Sequence, residues 1–371
     1  MSIERPYRVI IGGGGTGGHV FPAIAIADAL KKVDPGTEFL FVGAQDRIEM
    51  EKVPEAGYTI KGLPVAGFQR RLTFKNVTFF YKLLVSMVRS RKIVSLFEPD
   101  VAVGVGGYAS GPILRAAARK GVPILLQEQN SYAGVTNRLL SRSANTICVA
   151  YEKMDRYFPA GRIVLTGNPV RQHLAKLTGE KKKGLEEFGL EADKKVCLVV
   201  GGSLGARTVN RSIIRGLGKL NRMDLQILWQ CGKIYYEETQ QAVNQSKLAN
   251  IRVLPFISKM ELAYEVAEVI ISRAGAITIS ELCLIGKPVI LVPSPNVAED
   301  HQTRNAEALV SRKAAWMVPD MEAEEKLVDR MLELMENREQ KKELSSNIRK
   351  LGVADASQRI ATEVIKLMEQ R

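Results

Sequence analysis

Two glycine-rich loops are the residues of this chain whose type and spacing most directly indicate chemistry. The first spans residues 12–19 (GGGGTGGH) and the second spans residues 201–205 (GGSLG). Each follows a short apolar run typical of a strand and precedes a stretch with helical periodicity. Glycine lets the backbone turn sharply and lets an anion approach its N–H groups, and a helix N-terminus adds about half a positive charge. Both loops therefore predict phosphate binding.

The first loop also satisfies G-x-G-x-x-G through Gly13, Gly15 and Gly18. A dinucleotide enzyme with this pattern also needs an acidic residue at the end of its second strand, to hold a ribose. Here the second strand-like run ends at Val42, and its one acid, Glu38, stands at its beginning. The sequence therefore disfavours a dehydrogenase.

Three further segments follow predicted strands. Residues 104–112 (GVGGYASGP) form a third glycine cluster, which either contacts a ligand or permits close helix–sheet packing. Residues 273–281 (RAGAITISE) open a helix, and Glu281 could accept hydrogen bonds from a ribose diol or be a solvated carboxylate. The polar segment 293–306 either caps a helix or adds ligand contacts. Ligands of open α/β sheets bind at the carboxyl ends of the strands, where all these segments are expected.

Strand-like runs alternate with amphipathic stretches, which predicts parallel sheets with crossover helices. The pattern restarts after Asn168-Pro169, and each half opens with a strand that enters a glycine loop. We predict two Rossmann-like domains with parallel sheets facing a central cleft, 1–168 and 169–354, and a closing amphipathic helix at 355–371. The predicted strands are 7–11, 38–42, 100–104, 123–127, 146–150, 163–166, 195–200, 225–229, 251–254, 269–272 and 288–292.

The composition of the 371 residues, 46% hydrophobic and 25% charged, is that of a globular chain of two or three domains. Four cysteines without a C-x-x-C pair predict buried free thiols, and three histidines make a metal site improbable. No signal peptide or run of about 18 apolar residues is found, so we expect a cytosolic chain.

The net charge of +13 predicts an anionic partner. Nucleic acid is not expected, because no RNA-binding aromatic signature or helix-turn-helix pattern occurs.

The ordered motifs GGTGGH, GGYASGP, QEQNSYAG, GNPVR, GGSLGAR, RAGAITISE and DHQTRNA extend from about residue 8 to about residue 310. Together they resemble the bacterial UDP-N-acetylglucosamine:undecaprenyl-pyrophosphoryl-MurNAc-pentapeptide N-acetylglucosaminyltransferases of peptidoglycan synthesis. The resemblance implies a GT-B fold whose last helix returns to the N-terminal domain. It also implies inverting transfer of GlcNAc from UDP-GlcNAc to the C4 hydroxyl of MurNAc in the undecaprenyl-linked acceptor, lipid I. The expected location is the cytoplasmic face of the cell membrane, bound peripherally.

The resemblance also implies donor contacts at matching positions. Arg171 and Ser203 would hold the diphosphate, Ile257 would meet uracil through its backbone, and Gln302 would bind the GlcNAc hydroxyls. The remaining donor contacts are Thr16, Gly17, Gly18, Asn130, Ala276, Ile277, Thr278, Ile279, Ser280 and Glu281, with Glu281 on the ribose. The acceptor and diphosphate loops are expected to include Gly14, Gly15, Gly106, Gly107 and Tyr108.

Three positions depart from the family's pattern. The first loop has an additional glycine, Gly12. Gln127 stands where histidine is common before Glu-Gln-Asn, and Leu204 stands where glutamine is common after Gly-Gly-Ser. Leu204 lacks a side-chain donor, so we expect only backbone contacts to the diphosphate at that position.

An inverting transfer needs a base for the acceptor hydroxyl and stabilisation of the leaving UDP. His19 is the leading base candidate because imidazole titrates near neutrality, although it could instead be structural or bind phosphate. Glu128 and Tyr108 are alternatives. Arg171 and the helix opened by Gly275 would stabilise the leaving group. No Asp-x-Asp motif occurs, so we expect no metal and no cofactor.

A predicted helix at 74–97 could meet the membrane that carries the acceptor. Its Phe79, Leu83 and Met87 form an apolar ridge, with Lys75, Lys82 and Arg89 at seven-residue spacing beside it. An apolar ridge beside a basic stripe is typical of an interfacial helix on anionic lipids. The alternative is a helix buried on both sides. The face with Phe74, Val77, Tyr81, Leu84 and Val88 is expected to pack on the core.

Overall fold

The computed structural model describes residues 5–65, 75–170, 179–202, 204–221, 224–297 and 300–370. The chain divides into two compact units. The first unit comprises Met1–Arg171 with Asp355–Arg371, and the second comprises Gln172–Ala354.

The first unit is a seven-stranded parallel sheet with helices between its strands. The strand order is β3-β2-β1-β4-β5-β6-β7. The strands are β1 (Arg8–Gly12), β2 (Glu38–Ala44), β3 (Thr59–Leu63), β4 (Val101–Gly104), β5 (Ile124–Glu128), β6 (Thr146–Val149) and β7 (Ile163–Leu165). The helices are α1 (Gly17–Val33), α2 (Glu49–Glu55), α3 (Lys75–Phe97), α4 (Ser110–Arg119) and α5 (Val135–Leu140).

The second unit has a six-stranded parallel sheet in the order β10-β9-β8-β11-β12-β13. Its strands are β8 (Lys195–Val200), β9 (Leu225–Gln230), β10 (Ile251–Leu254), β11 (Val269–Ser272), β12 (Val289–Leu291) and β13 (Trp316–Met317). Its helices are α6 (Lys181–Phe188), α7 (Arg207–Arg215), α8 (Tyr236–Ser246), α9 (Met260–Val266), α10 (Ala276–Ile285), α11 (His301–Val310), α12 (Asp320–Glu336) and α13 (Arg338–Arg349). The prediction of two Rossmann-like domains with parallel sheets is confirmed.

The central strands are largely apolar because both faces of each sheet are covered. In β1, Val9 and Ile11 contribute to one core cluster of the first unit, and Ile10 contributes to the other. In β8, Cys197 and Val199 face one cluster of the second unit, whereas Leu198 faces the other. Each unit therefore has a core on both sides of its sheet.

The sequence analysis missed two strands, both at sheet edges. In β3, Thr59 and Lys61 are exposed, and β13 has two residues. An edge strand pairs on one side only, and its polar residues face solvent, so it lacks the continuous apolar run of a central strand. The predicted bounds of β8, β10 and β11 match the observed bounds, and those of the other predicted strands differ from the observed bounds by one or two residues.

The last helix, α14 (Ala356–Glu369), packs on the first unit. Its Ile360, Val364 and Leu367 are buried in the cluster that contains Val9 and Ile26. These residues belong to the apolar face indicated by the sequence periodicity. Burial of this face joins the end of the chain to the sheet with which the chain begins.

All four cysteines are free and buried, as predicted. Burial raises the pKa of Cys148 and of Cys283 to about 12. A thiol with such a pKa is almost fully protonated near neutral pH, so it behaves as a small apolar side chain.

Candidate functional site

The first glycine loop joins β1 to α1 by a backbone path that requires glycine. Gly14 has φ +141° and Gly15 has φ +92°, conformations that residues with a Cβ rarely adopt. The Gly13 N–H donates to the Val42 carbonyl at 3.1 Å, which closes the start of the loop on β2. The Thr16 carbonyl accepts from the N–H groups of His19 and Val20 and begins α1.

A buried carboxylate holds the middle of this loop. Glu49, the first residue of α2, is 1% exposed. The Gly15 N–H lies 2.8 and 3.0 Å from the two carboxylate oxygens, and the Ala44 N–H donates to Oε1 at 2.9 Å. Sequence reasoning placed Gly15 in a loop for a bound diphosphate. The structure gives its N–H to an anion of the chain itself, and no motif indicated Glu49.

The first and third glycine clusters lie against each other. Gly106 and Gly107 have φ +89° and +85°. A Cβ at Gly107 would lie 2.3 Å from the Gly14 carbonyl oxygen, and one at Gly106 would lie 2.9 Å from Cε1 of His19. Only glycine permits this approach. The structure therefore brings Gly14, Gly106, Gly107 and His19 together, as expected of one site at the carboxyl ends of β1 and β4.

The His19 ring is oriented by Gln129. Its Nδ1 lies 3.2 Å from Oε1 of Gln129, while Nε2 of Gln129 donates to the Val105 carbonyl at 2.9 Å. Because Nε2 of Gln129 donates to the Val105 carbonyl, Gln129 presents only its Oε1 to the His19 ring. We infer that Nδ1 of His19 carries the proton and donates to that oxygen. In the neutral ring Nε2 is then the basic nitrogen. This is the tautomer that a general base needs.

A buried amide network holds Gln129 in turn. Its Nε2 also contacts Oε1 of Gln127, and Nε2 of Gln127 donates to Oδ1 of Asn168 at 3.0 Å. Asn168 then donates to the Gln129 carbonyl at 3.0 Å. All three side chains are at most 3% exposed. Gln127, which departs from the family's pattern, therefore orients His19 through Gln129. Sequence reasoning did not assign Gln129 a role, and only its place in the QEQN motif could have drawn attention to it.

Glu128 does not have the environment of the base that sequence reasoning offered as an alternative. It is 2% exposed. One oxygen accepts from the backbone and side chain of Asn130, and the other accepts from the Gly134 N–H at 3.0 Å and from Nδ2 of Asn137 at 2.9 Å. Burial raises the pKa of Glu128, and these four donors offset part of that effect. Both oxygens are engaged, so Glu128 fixes the loop after β5.

Other predicted residues of the first unit lie around this loop system. Thr16 and Gly18 are exposed, whereas Gly17 and Asn130 are half-buried. Tyr108 is 59% exposed. Arg171 lies outside the described residues.

In the second unit, Gln230 connects the second glycine loop to Ile257. Its Nε2 donates to the Gly202 carbonyl at 3.0 Å, and its Oε1 accepts from the Ile257 N–H at 2.9 Å. Gln230 is 3% exposed and ends β9. A backbone contact from Ile257 to uracil would therefore use its carbonyl oxygen. Ser203 lies outside the described residues, and Leu204 is 75% exposed.

Gln302 connects the loops that follow β11 and β12. Its Oε1 accepts from the Ala274 N–H at 3.2 Å and from the Ser294 N–H at 2.9 Å. Its NH2 group has no partner among the described residues, which leaves two N–H bonds for a ligand. The two loops and α11 therefore present a fixed donor at the carboxyl edge of this sheet.

The helix opened by Gly275 has the N-terminus that an anion site needs. Gly275 is extended, α10 begins at Ala276, and the first turn contains no acidic residue. In that turn, Ala276, Ile277 and Thr278 are half-buried. Ser280 is half-buried as well, whereas Ile279 is buried.

Glu281 is 6% exposed. This excludes the solvated helix carboxylate that was its alternative assignment. A buried carboxylate needs hydrogen-bond donors. The two hydroxyl groups of a ribose diol would be donors of this kind.

The structure corrects the prediction for the two faces of α3. Tyr81, Leu84 and Val88, which were expected to pack on the core, are 69%, 65% and 58% exposed. Phe79, Leu83 and Met87, which were expected to meet the membrane, are half-buried. The latter share a face with the fully buried Ser86, Ser90 and Val94. The small side chains of these serines let α3 pack closely against α4. The pattern of apolar residues alone could not reveal that this face is the buried one.

Phe80 is 62% exposed and extends the outward apolar face of α3. The basic residues Lys82, Arg89, Arg91 and Lys92 are exposed on the same helix. The side chain of Lys75 lies outside the description. In the described part of the chain, no helix is long and apolar enough to cross a membrane.

Two Rossmann-like units, with glycine loops and helix N-termini after their strands, are the components of the GT-B fold. Residues 9–149 match the model of the glycosyltransferase family 28 N-terminal domain, and residues 196–360 match that of its C-terminal domain. The chain belongs to glycosyltransferase family 28.

Relatives of the chain match it over nearly its whole length. A protein of Bacteroides fragilis is 55% identical over 365 residues, which are 98% of this chain and 96% of the relative. One of Parabacteroides distasonis is 53% identical over 99% of this chain and 100% of the relative. Both are named UDP-N-acetylglucosamine--N-acetylmuramyl-(pentapeptide) pyrophosphoryl-undecaprenol N-acetylglucosamine transferase. The crystal structure of Acinetobacter baumannii MurG is 30% identical, with a TM-score of 0.81 over 97% of this chain and 100% of that chain.

Proposed function

We propose that this protein transfers GlcNAc from UDP-GlcNAc to the C4 hydroxyl of MurNAc in undecaprenyl-pyrophosphoryl-MurNAc-pentapeptide, with inversion, to form the β-1,4-linked lipid disaccharide of peptidoglycan. The observation that carries the proposal is 55% identity over 365 residues to a protein named for this transfer. The match covers 98% of this chain and 96% of the relative, so it includes both units.

The second unit supplies the groups that a nucleotide-sugar donor needs. The α10 N-terminus and the second glycine loop, with Ser203, contact the diphosphate. Glu281 accepts hydrogen bonds from the ribose, and the Ile257 carbonyl accepts from uracil. Gln302 donates its NH2 group to the hydroxyls of GlcNAc, since its oxygen is already held by two backbone amides. Fixed donors of this kind favour one sugar orientation.

In the first unit, His19 is the base. Nε2 takes the proton of the attacking hydroxyl, and the ring becomes an imidazolium whose Nδ1–H remains on Gln129. Negative charge grows on the β-phosphate as the anomeric bond breaks. The positive end of α10 and Arg171 stabilise that charge. This mechanism needs no metal, so turnover in EDTA without Mg²⁺ is the expected result.

The first unit meets the membrane through the outward face of α3, which we define as Phe80, Tyr81, Leu84 and Val88. An acceptor with an undecaprenyl chain stays in the bilayer, so the enzyme must reach it at the surface. The exposed apolar side chains would enter the interface, while Lys82 and Arg89 attract anionic headgroups. The protein would then bind peripherally to the cytoplasmic face of the cell membrane.

The reaction itself can be tested with purified protein, radiolabelled UDP-GlcNAc and the undecaprenyl-linked MurNAc-pentapeptide acceptor in detergent. We expect transfer of label to the lipid and release of UDP. UDP-galactose with diacylglycerol serves as the comparison, because another GT-B enzyme with a lipid acceptor is the nearest alternative. Transfer to diacylglycerol, or none to the MurNAc acceptor, would contradict the proposal.

A further inference from the structure

A cationic groove lies in the second unit, at the amino ends of its strands. Its volume is about 940 Å³, and seven of its thirteen lining residues are lysine or arginine, whereas two are glutamate. Sites for small ligands commonly have volumes of about 300–1,000 Å³. The groove is therefore large enough for an organic phosphate, and its charge selects for an anion.

The base of the groove is formed where three adjacent strands begin. Lys195 opens β8, Glu268 precedes β11, and Lys287 precedes β12 by two residues. The order β8-β11-β12 places these side chains next to one another. Nζ of Lys287 lies 3.4 Å from the Glu265 carbonyl oxygen. Burial lowers the pKa of Lys287. A partly buried lysine of this kind is stabilised when an anion binds beside it.

One wall of the groove is a single face of α13. Arg338, Lys342, Ser345 and Arg349 line it at helical spacing, while Leu344 and Ile348 on the adjoining face of the helix are buried in the core. Core packing therefore turns the cationic face toward the groove. Ser345 donates to the Gly286 carbonyl, which ties the helix to the turn before β12.

The Arg349 guanidinium lies directly over Gly286. A Cβ at this glycine, which has φ +69°, would lie 2.6 Å from Nε of Arg349. The turn therefore brings the arginine close to the backbone and holds it near Lys287, whose pKa it lowers further. Two cations so placed repel each other unless an anion lies between them.

The cations of the groove outnumber its carboxylates, seven to two. The carboxylate of Glu268 is paired with Lys341. Among the described residues, Lys287, Arg338, Lys342 and Arg349 have no carboxylate within 4.0 Å. These four cations therefore lack ion-pair partners among the described residues. Glu265 and Glu268 favour the charged form of Lys287, but burial outweighs them and lowers its pKa.

We propose that this groove is a second ligand site, which binds anions with two or more phosphate groups. Arg349 and Lys342 contact the phosphates, and Ser346 adds a hydroxyl donor. The apolar side chains of Met335 and Pro288 in the lining accommodate the organic part of such a ligand. The proposed donor contacts lie at the opposite ends of the same strands. Since β8 has six residues, the two sites are about 20 Å apart along it.

The test is titration calorimetry of inorganic tripolyphosphate into protein saturated with UDP, so that the donor site is occupied. The charge-reversed variant combines Lys342→Glu with Arg349→Glu. Its control combines Lys247→Glu with Arg252→Glu, two exposed cations on the far side of the sheet. The milder pair Lys342→Gln and Arg349→Gln is measured as well, and circular dichroism checks that each variant is folded. We expect the charge-reversed variant to bind at least tenfold more weakly and the control to bind within twofold of the wild type.

Cardiolipin vesicles, whose lipid carries two phosphates, distinguish the sources of the phosphate, with phosphatidylcholine vesicles as reference. An equal loss of vesicle and tripolyphosphate binding in the Lys342/Arg349 variants identifies lipid headgroups as ligands. A loss confined to tripolyphosphate identifies a soluble phosphate. No binding by the UDP-saturated wild type, or equal weakening in the control variant, would overturn the proposal.

Discussion

Both carboxylate oxygens of Glu49 lie within 3.0 Å of the Gly15 amide nitrogen, and Oε1 also accepts from Ala44 at 2.9 Å. One buried side chain at the start of α2 thus fixes the glycine loop that leads to His19. A hydrogen bond to a charged group contributes about 1.5–3 kcal/mol to stability. The loop conformation therefore depends on an anion that the protein itself supplies.

Replacing Glu49 by Gln should loosen this loop. The new NH2 group would face N–H donors, so we expect a loss of about 2 kcal/mol in the free energy of unfolding. A lower kcat, with UDP binding unchanged, should accompany this loss. Chemical denaturation and calorimetry with UDP measure the two effects. Glu51→Gln, an exposed position in α2, is the control, and an equal loss there would show that the Gly15 contact is unimportant.

Replacing His19 by Ala should lower kcat by about 10²–10⁴-fold, the usual contribution of a general base. UDP binding, which we place in the second unit, should not change. A loss below tenfold would remove His19 as the base.

Gln129→Leu should reduce kcat by a smaller factor, because Leu cannot accept the Nδ1 proton and the ring loses its fixed tautomer. The measurement is kcat as a function of pH. For a base, activity falls at low pH, and Gln129→Leu should move the pH at which it falls. An unchanged pH profile with reduced kcat would indicate a purely structural effect of Gln129.

The buried Glu128 should make stability depend on pH. Burial raises its pKa in the folded state, so the folded protein binds the proton more tightly than the unfolded chain. Its contribution is complete below the ordinary glutamate pKa of 4.5 and is lost as the pH rises through the folded pKa. The melting temperature of the wild type should therefore fall relative to that of Glu128→Gln as the pH rises above 4.5. A difference that is constant with pH would contradict this assignment.

The outward face of α3 should control membrane binding. Leu84→Ser with Tyr81→Ser removes two side chains that are 65% and 69% exposed. We expect at least tenfold weaker binding to phosphatidylglycerol vesicles, because each apolar side chain that enters the interface contributes on the order of 1–2 kcal/mol. Sedimentation with vesicles measures it. Leu96→Ser, 67% exposed on the same helix but about two turns beyond Val88, should change little, and an equal effect there would argue against a localised membrane contact.

Local features of the sequence were sufficient to predict much of the fold. Apolar runs that alternate with helical segments located the central strands to within two residues, since a strand buried on both faces is mostly apolar. Glycine clusters located the strand–helix turns because positive φ angles exclude other residues. The order of motifs then indicated the family, and with it the GT-B architecture and the reaction.

The environment of each functional group was decided by contacts between distant residues. His19 meets Gln129 across 110 positions and Gly15 meets Glu49 across 34, and no local pattern specifies such pairs. The two faces of α3 both carry apolar residues, so only packing against the rest of the unit could decide which is exposed. Residue type determined which groups can bind phosphate or take a proton, and tertiary packing determined which of their hydrogen bonds are left for a substrate.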